Sequence, residues 1–290
     1  MKKLTKKSKV INLGCRLNFF ESEIIENILK KEKDVSKVVI NTCAVTNNAV
    51  QKSIYAVKKA LKDFPNSEVI VTGCASQVEK NRFENLGHIS KIVDNKLKTN
   101  PNSYISEDWV HEQTFNFPSI DYLSTQRTRA MLQIQQGCNH RCTFCIIPYG
   151  RGDAVSLTFT EISKRVKKIL SSGITEIVLT GVDLTSYGED LKGKPKLGSI
   201  LKKLFKLFPN LPRLRLSSID PAEIDQDLLD LFKYERRLMP YLHLSLQSGD
   251  NLILKRMKRR HNREMVLNIC NNLKSFRKDI TFGADLIVGF

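Results

Sequence analysis

Residues 37–43 read KVVINTC, a short β-branched run that ends at a cysteine, and the same design occurs twice more, as KVINLGC at 9–15 and EVIVTGC at 68–74. Runs of this length and composition are strand signals. Each stops at a thiol: Cys15, Cys43 and Cys74. Between the runs the period changes. Phe20, Ile24, Ile25, Ile28 and Leu29 recur at helical spacing after the first, and Ile54, Val57 and Leu61 after the second. Strands separated by helices pair in parallel. In a parallel sheet all C-terminal strand ends share one edge, where ligands of open α/β folds collect. The three thiols are therefore expected on one edge of an α/β domain, a flavodoxin-like parallel sheet.

A second thiol set lies at 135–152, QQGCNHRCTFCIIPYGRG, with Cys138, Cys142 and Cys145 inside eight residues. Seven cysteines in 290 residues is an odd number, and MKKLTKKSKV at 1–10 is no export signal, so a disulfide scaffold explains them poorly. The spacing C-x3-C-x2-C supplies three sulfurs, whereas a structural zinc site wants four ligands. A cluster of four irons held by three cysteines keeps one iron open to substrate. Zinc completed by His140 stands beside it as the alternative.

Composition is that of a folded chain, since 41% hydrophobic residues can offset chain entropy. No apolar run approaches the roughly 20 residues of a bilayer span, so no membrane partner is expected and the expected location is the cytoplasm. Lys and Arg number 47 against 30 Asp and Glu, a formal charge of +17. A field of that size favours a polyanion such as RNA and equally describes a solubilising surface. The basic run LKRMKRRHNR at 254–263 holds Lys255, Arg256, Lys258, Arg259, Arg260 and Arg263 without an acid. It is read as a phosphate-backbone contact or a solvated helix end.

Periodicity fades between about Thr99 and Arg129, where Pro, Asn and Ser gather, and this stretch reads as an interdomain connection in which Trp109 and Phe115 are packing residues. The expected boundary places one domain at 1–120 and a second at 121–290. In the second, AMLQIQQG, EIVLTG, LRLSS, YLHLSLQSG and TFGADLIVGF are five strand candidates separated by amphipathic stretches. A barrel or partial barrel is the natural closure for such units. His243 inside an apolar strand is read as a satisfied core histidine, and Cys270 on a helix face as a buried apolar residue.

The segment GCNHRCTFCIIPYGRG resembles the form of C-x3-C-x2-C found in the methylthiotransferase branch of the radical S-adenosylmethionine enzymes. The likeness extends to LGCRLNFFESE, INTCAVTNNA and VTGCASQ in the first domain, and to LTGVDLTSYG, RLSSIDP, HLSLQSG and DLIVGF in the second. It implies a radical S-adenosylmethionine partial barrel, cut short after about five strands, behind the N-terminal sheet. It also implies two 4Fe-4S clusters. One, on Cys138, Cys142 and Cys145, would bind S-adenosylmethionine and generate a 5′-deoxyadenosyl radical. The other, on Cys15, Cys43 and Cys74, would carry or donate sulfur, with a second S-adenosylmethionine supplying the methyl group.

Within this resemblance Gly181, Asp183, Ser217 and Gln247 map to cofactor contacts at strand ends, with Ser218 beside Ser217. Cap or turn duty is the alternative for each. Two features depart from the family pattern. Leu157 stands where a basic residue commonly follows the serine, and the sequence stops at ADLIVGF where the family continues into a further βα unit and a small RNA-binding domain, so the chain is expected to be a fragment.

The Val-Thr-Asn triplet after Cys43 is similar to the branch acting on threonylcarbamoyladenosine in tRNA. That implies a tRNA anticodon stem-loop as partner and replacement of the adenosine C2 hydrogen by a methylthio group, together with an electron donor of flavodoxin or ferredoxin type and a sulfur donor. Isopentenyladenosine in tRNA and a ribosomal-protein aspartate are the substrates of other branches. A zinc-bearing RNA-binding module is the non-enzymatic alternative.

Overall fold

Val38, Val39 and Ile40 are apolar in succession, without the alternation of a half-exposed strand, and this dictates a strand covered on both faces. A computed structural model, describing residues 8–31, 36–105, 115–122 and 128–290, bears this out, with every residue of Lys37–Thr42 buried. The chain divides into two units. The first comprises Met1–Ser124 together with Ile146–Gly152, and the second Thr125–Cys145 with Asp153–Phe290.

In the first unit β1 (Lys9–Asn12), α1 (Arg16–Leu29), β2 (Lys37–Thr42), α2 (Asn47–Asp63), β3 (Glu68–Gly73), α3 (Cys74–Val78), α4 (Lys80–Glu84), β4 (Lys91–Ile92), α5 (Asn102–Ile105) and α6 (Ile147–Arg151) follow in order. All strand pairings are parallel, and neighbours run β1-β2-β3-β4. The order is consecutive, so no topological switch point lies among the described strands. Leu17, Phe20, Ile24, Ile25, Ile28 and Leu29 form the buried face of α1. Each such side chain contributes roughly 1.5–3 kcal/mol when fully buried.

For α2 the buried ridge is Val50, Ser53, Val57 and Ala60, while Ile54 and Leu61 pack at its margin. The apolar stripe is thus turned by one position from the Ile54–Val57–Leu61 face expected from hydrophobicity. Small residues, Ser53 and Ala60, let the helix approach the sheet, and the larger Ile54 and Leu61 flank the contact. Thr46 starts the helix by accepting the Ala49 amide at 3.1 Å.

The second unit is built on β5 (Arg129–Gln133), β6 (Gln135–Gln136), β7 (Val155–Ser156), α7 (Phe159–Ser171), β8 (Glu176–Thr180), α8 (Leu197–Leu207), β9 (Arg213–Leu216), β10 (Ser218–Ile219), α9 (Gln226–Tyr234), β11 (Tyr241–Gln247), α10 (Asn251–Arg256), α11 (Arg263–Phe276) and β12 (Thr281–Leu286). Parallel strands run β5-β8-β9 and β10-β11-β12 in chain order, with Ser217 between β9 and β10. This is a (βα) partial barrel, with the five expected strand segments in place. β6 and β7 form a short antiparallel pair. α7 buries Ile162, Val166 and Ile169 and is capped by Thr158.

Leu157 is buried in this unit, its amide donating to the Ile134 carbonyl and its own carbonyl accepting from Tyr187. An apolar side chain is what that position demands. In the expected interdomain stretch Phe115 meets Phe117 edge to face at 5.0 Å, while Trp109 lies outside the described residues. No helix among the described residues is long and apolar enough to cross a membrane.

Candidate functional site

Parallel pairing in consecutive order carries the three cysteines of the first unit to one edge. Cys15 precedes α1, Cys43 follows β2, and Cys74 opens α3 directly after β3. All are free thiols, Cys15 exposed and the other two buried. Burial raises the Cys43 thiol above its ordinary range, and Cys15 and Cys74 push the same way. Two glycines allow the approach. A Cβ on Gly14 would lie 2.9 Å from the Cys43 Cβ, and one on Gly73 would lie 2.3 Å from the Thr42 carbonyl, where φ is +102°.

Beneath these thiols runs a buried polar layer. Asn95 donates to the Cys74 sulfur at 3.5 Å. Asn18 donates to the carbonyls of Thr42 and Leu13, at 2.9 and 3.3 Å. Glu21 accepts from Arg151 at 2.8 and 3.1 Å and is paired with Lys98, all three side chains being about 1% exposed.

The second thiol set is placed by a loop rather than by strand order. Gly137, at φ +70°, turns the chain out of β6 into Cys138. The Cys145 amide closes on the Cys142 carbonyl at 3.0 Å. Arg141 donates to the Cys138 carbonyl and pairs with Asp153, and Thr143 is tied by both backbone and hydroxyl to Met257 and Arg256. The thiols are half-buried.

Around them runs a polar chain. Cys138 donates to Asp183 at 3.6 Å; Asp183 holds His140 at 3.1 Å; His140 reaches Glu223 at 3.6 Å. Glu223 pairs with Arg260, which also binds Asp220 at 3.1 Å. Arg259 then links Asp220, at 2.8 Å, to the Cys142 sulfur, at 3.5 Å. Burial pushes the Cys138 thiol up to about 12, and the Asp183 charge adds to the rise. A metal must therefore displace a firmly held proton there. Hydrogen bonds to Asp183 and Glu223 raise His140 to about 9, which favours the charged ring at neutral pH. Cys138, His140 and Asp183 are nevertheless the three potential ligands that come within 4.8 Å of one another among the described residues.

Gly181, Asp183, Ser217 and Gln247 each sit at the C-terminal end of a parallel strand, the first two after β8, Ser217 after β9 and Gln247 as the last residue of β11. Gln135 joins the turn after β8 to the thiol loop, its Oε1 accepting the Val182 and Asp183 amides and its Nε2 donating to the Gly137 carbonyl. Ser217 keeps a buried hydroxyl with no partner among the described residues. Gln247 takes a left-handed backbone, φ +69°, where β11 and β12 shift register. No hydrogen bond joins Ser217 or Gln247 to the thiol loop among the described residues. Ser218 is exposed.

Several expectations are corrected. Arg259 and Arg260 do not form part of a free basic face, because Asp220 and Glu223, 37 to 40 residues earlier, claim them. The run itself contains no acid, so nothing local announced this pairing. Lys255, Arg256, Lys258 and Arg263 remain exposed. His243 is half-buried and bridges Tyr241 and Asp285 rather than lying in the core. Cys270 is likewise half-buried. Glu21, Lys98, Gln135, Arg151, Asp220 and Glu223 went unnoticed as site residues, since each is an ordinary polar residue until the fold gives it a partner.

Residues 132–290 match the radical SAM superfamily, and residues 7–94 match the Uncharacterized protein family UPF0004. The chain is 42% identical over 98% of its length to the threonylcarbamoyladenosine tRNA methylthiotransferase MtaB of Rickettsia prowazekii, covering 69% of that protein. It is 33% identical over 96% of its length both to the MtaB of Bacillus subtilis, of which it covers 66%, and to the tRNA-2-methylthio-N(6)-dimethylallyladenosine synthase of Ehrlichia canis, of which it covers 68%. It thus spans about two thirds of the length of these relatives. Among solved structures the fold is similar to that of the radical S-adenosylmethionine methyltransferase TsrM from Kitasatospora setae, with a TM-score of 0.64 at 11% identity over 98% of this chain and 69% of that one. By its family matches and its relatives, this chain belongs to the radical SAM superfamily and, within it, to the methylthiotransferases.

Proposed function

We propose that the chain is the two-unit catalytic part of a tRNA-modifying methylthiotransferase that exchanges the C2 hydrogen of threonylcarbamoyladenosine for a methylthio group. The observation that carries this reading is the 42% identity over almost the whole chain with a relative named for that substrate. Two three-thiol sites, one in each unit, fit a reaction that needs both radical initiation and sulfur delivery. The donor chemistry of both sites suits iron-sulfur clusters: six free cysteines, with sulfur as the shared ligand type and no disulfide competing for it.

Cys138, Cys142 and Cys145 would hold one 4Fe-4S cluster, and Cys15, Cys43 and Cys74 the other. When bound, the first cluster and S-adenosylmethionine together supply hydrogen abstraction from an unactivated carbon. The residues around it have separable tasks. The Asp220–Arg259 pair fixes a positive charge beside the Cys142 sulfur. Gln135 fixes the Gly181–Asp183 turn against the thiol loop, so that the backbone after β8 forms one wall of a cofactor pocket. The unpartnered Ser217 hydroxyl and the strained Gln247 backbone mark two more walls, at the strand ends where ligands of such barrels gather. The exposed Lys255, Arg256, Lys258 and Arg263 supply charge for an RNA backbone. An electron donor of flavodoxin or ferredoxin type and a sulfur donor complete the partners, and a tRNA substrate sets the reaction in the cytoplasm.

Mass spectrometry of tRNA nucleosides from a strain lacking the gene tests the substrate. Loss of 2-methylthio-threonylcarbamoyladenosine, restored by the intact gene, is the expected result. Loss of the methylthio group from dimethylallyladenosine instead, or unmodified ribosomal protein with normal tRNA, assigns the chain to another branch.

A further inference from the structure

Glu21 stands one turn after Asn18 on α1, and both grip the Arg151 guanidinium: Glu21 at 2.8 and 3.1 Å and Asn18 at 2.6 Å. Lys98 pairs with the same carboxylate and also donates to Asn41 at 3.4 Å. Two cations and the carboxylate they share are thus removed from water together. Such an arrangement is costly to assemble and is weak evidence for stability by itself. Its position is more informative than its strength.

The group adjoins the segments that carry the three thiols, Lys98 reaching Asn41, two residues before Cys43. Asn18 binds the carbonyls of Leu13 and Thr42, the second residue before Cys15 and the one directly before Cys43. Gly150, the neighbour of Arg151, packs so closely that a Cβ there would lie 3.3 Å from the Cys74 Cβ. Asn95, three residues before Lys98, donates to the Cys74 sulfur. The charges respond accordingly. Burial works against both cations; Arg151 nonetheless ends above its ordinary range through Glu21, then Cys74 and Cys15, whereas Lys98 ends below its own, because burial and the Arg151 charge outweigh the support of Glu21 and Cys74. In a buried setting such fields are only weakly screened.

We propose that Arg151 and Lys98, clamped by Glu21, are the fixed positive charge of the Cys15–Cys43–Cys74 site and set the reduction potential of the cluster it holds. The inference rests on the reading of that trio as a cluster site. A cluster held by three thiolates gains negative charge when reduced, and buried cations favour the reduced form. These are positioning and tuning residues, acting through the field at the sulfurs.

The test uses the full-length protein carrying Cys138→Ala, Cys142→Ala and Cys145→Ala, reconstituted anaerobically, so that one cluster remains. Iron, sulfide and an electron paramagnetic resonance-monitored redox titration are read. A parent without iron and sulfide sinks the three-thiol reading itself. With the cluster present, Lys98→Met is expected to shift the one-electron equilibrium at least tenfold towards the oxidised form, about 59 mV more negative. Lys98→Arg is expected to keep the parental midpoint, and Glu21→Gln to move it in the opposite direction. A folded, iron-replete Lys98→Met protein with the parental midpoint overturns the proposal. Should Lys98→Met fail to fold by far-ultraviolet circular dichroism, the sign of the Glu21→Gln shift decides: positive supports, zero or negative overturns. Loss of the fold in both assigns the cluster of charges to stability alone and overturns the tuning role.

Discussion

The two thiol sites are assembled by opposite means. Cys138, Cys142 and Cys145 lie on one loop, and neighbouring side chains from two later strand ends close round them. Cys15, Cys43 and Cys74 are separated by 28 and 31 residues and reach one edge only because three parallel strands end there. A local loop keeps its spacing whatever the rest of the chain does. A site collected from strand ends inherits every error of sheet register, and a one-residue slip would turn its ligands to the other face. The second unit should therefore lose chemistry when single side chains are removed, and the first when backbone geometry is disturbed.

The largest expected effect separates the two chemically. Under the proposed roles Cys142→Ala abolishes cleavage of S-adenosylmethionine, read as 5′-deoxyadenosine release, whereas Cys43→Ala retains cleavage and stops methylthio product. Uncoupled cleavage persisting in Cys142→Ala would erase the distinction between the sites. Next comes Asp220→Asn, which removes the carboxylate shared by Arg259 and Arg260 and leaves a buried guanidinium without its charge partner. A loss of about 3–5 kcal/mol is expected, measured by urea denaturation of the apoprotein.

Gly73→Ala probes the backbone dependence of the first site. The new Cβ collides with the Thr42 carbonyl at a positive φ, and about 3 kcal/mol of destabilisation is expected. Gly87→Ala is the control, since φ is +81° there but nothing lies within 4 Å of the added atom, so about 1 kcal/mol is expected. Equal losses in the two variants would mean that close approach contributes nothing.

The smallest effect is set by pH. Burial would raise the Glu223 carboxyl, but hydrogen bonds from His140 and Arg260 hold it down to about 2. A carboxyl lowered on folding contributes stability in full above its unfolded value, about 4.5, and loses it as pH falls towards 2. Glu223→Gln should thus lower the melting temperature of the apoprotein at pH 6 by a few degrees, on the order of 1–3 kcal/mol. The gap between variant and parent should close as pH approaches 2. A constant gap would show that shape rather than charge matters at this position.

Much of this molecule was legible in the sequence because the signals are local. The triple strand-then-cysteine design announced a parallel sheet, the helical period named the buried face of α1 almost residue for residue, and five strand candidates became the parallel strands of the partial barrel. The face of α2 was displaced by one position because hydrophobicity alone ranks Ile54 and Leu61 above Ser53 and Ala60, while close helix-to-sheet packing selects the small residues. Within the basic run at 254–263, Arg259 and Arg260 depart from expectation for a related reason: their pairing acids are distant in sequence.

By itself, then, the sequence determined the element types, the parallel pairing and the placing of three cysteines at strand ends, because periodicity and residue chemistry act over a few neighbours. Tertiary structure alone decided which charges are spent on each other. The Glu21–Lys98–Arg151 group joins positions 77 and 130 residues from the carboxylate, and Arg259 reaches Asp220 across 39. Partner choice among buried ions depends on distance and desolvation, and neither quantity exists until the chain has closed on itself.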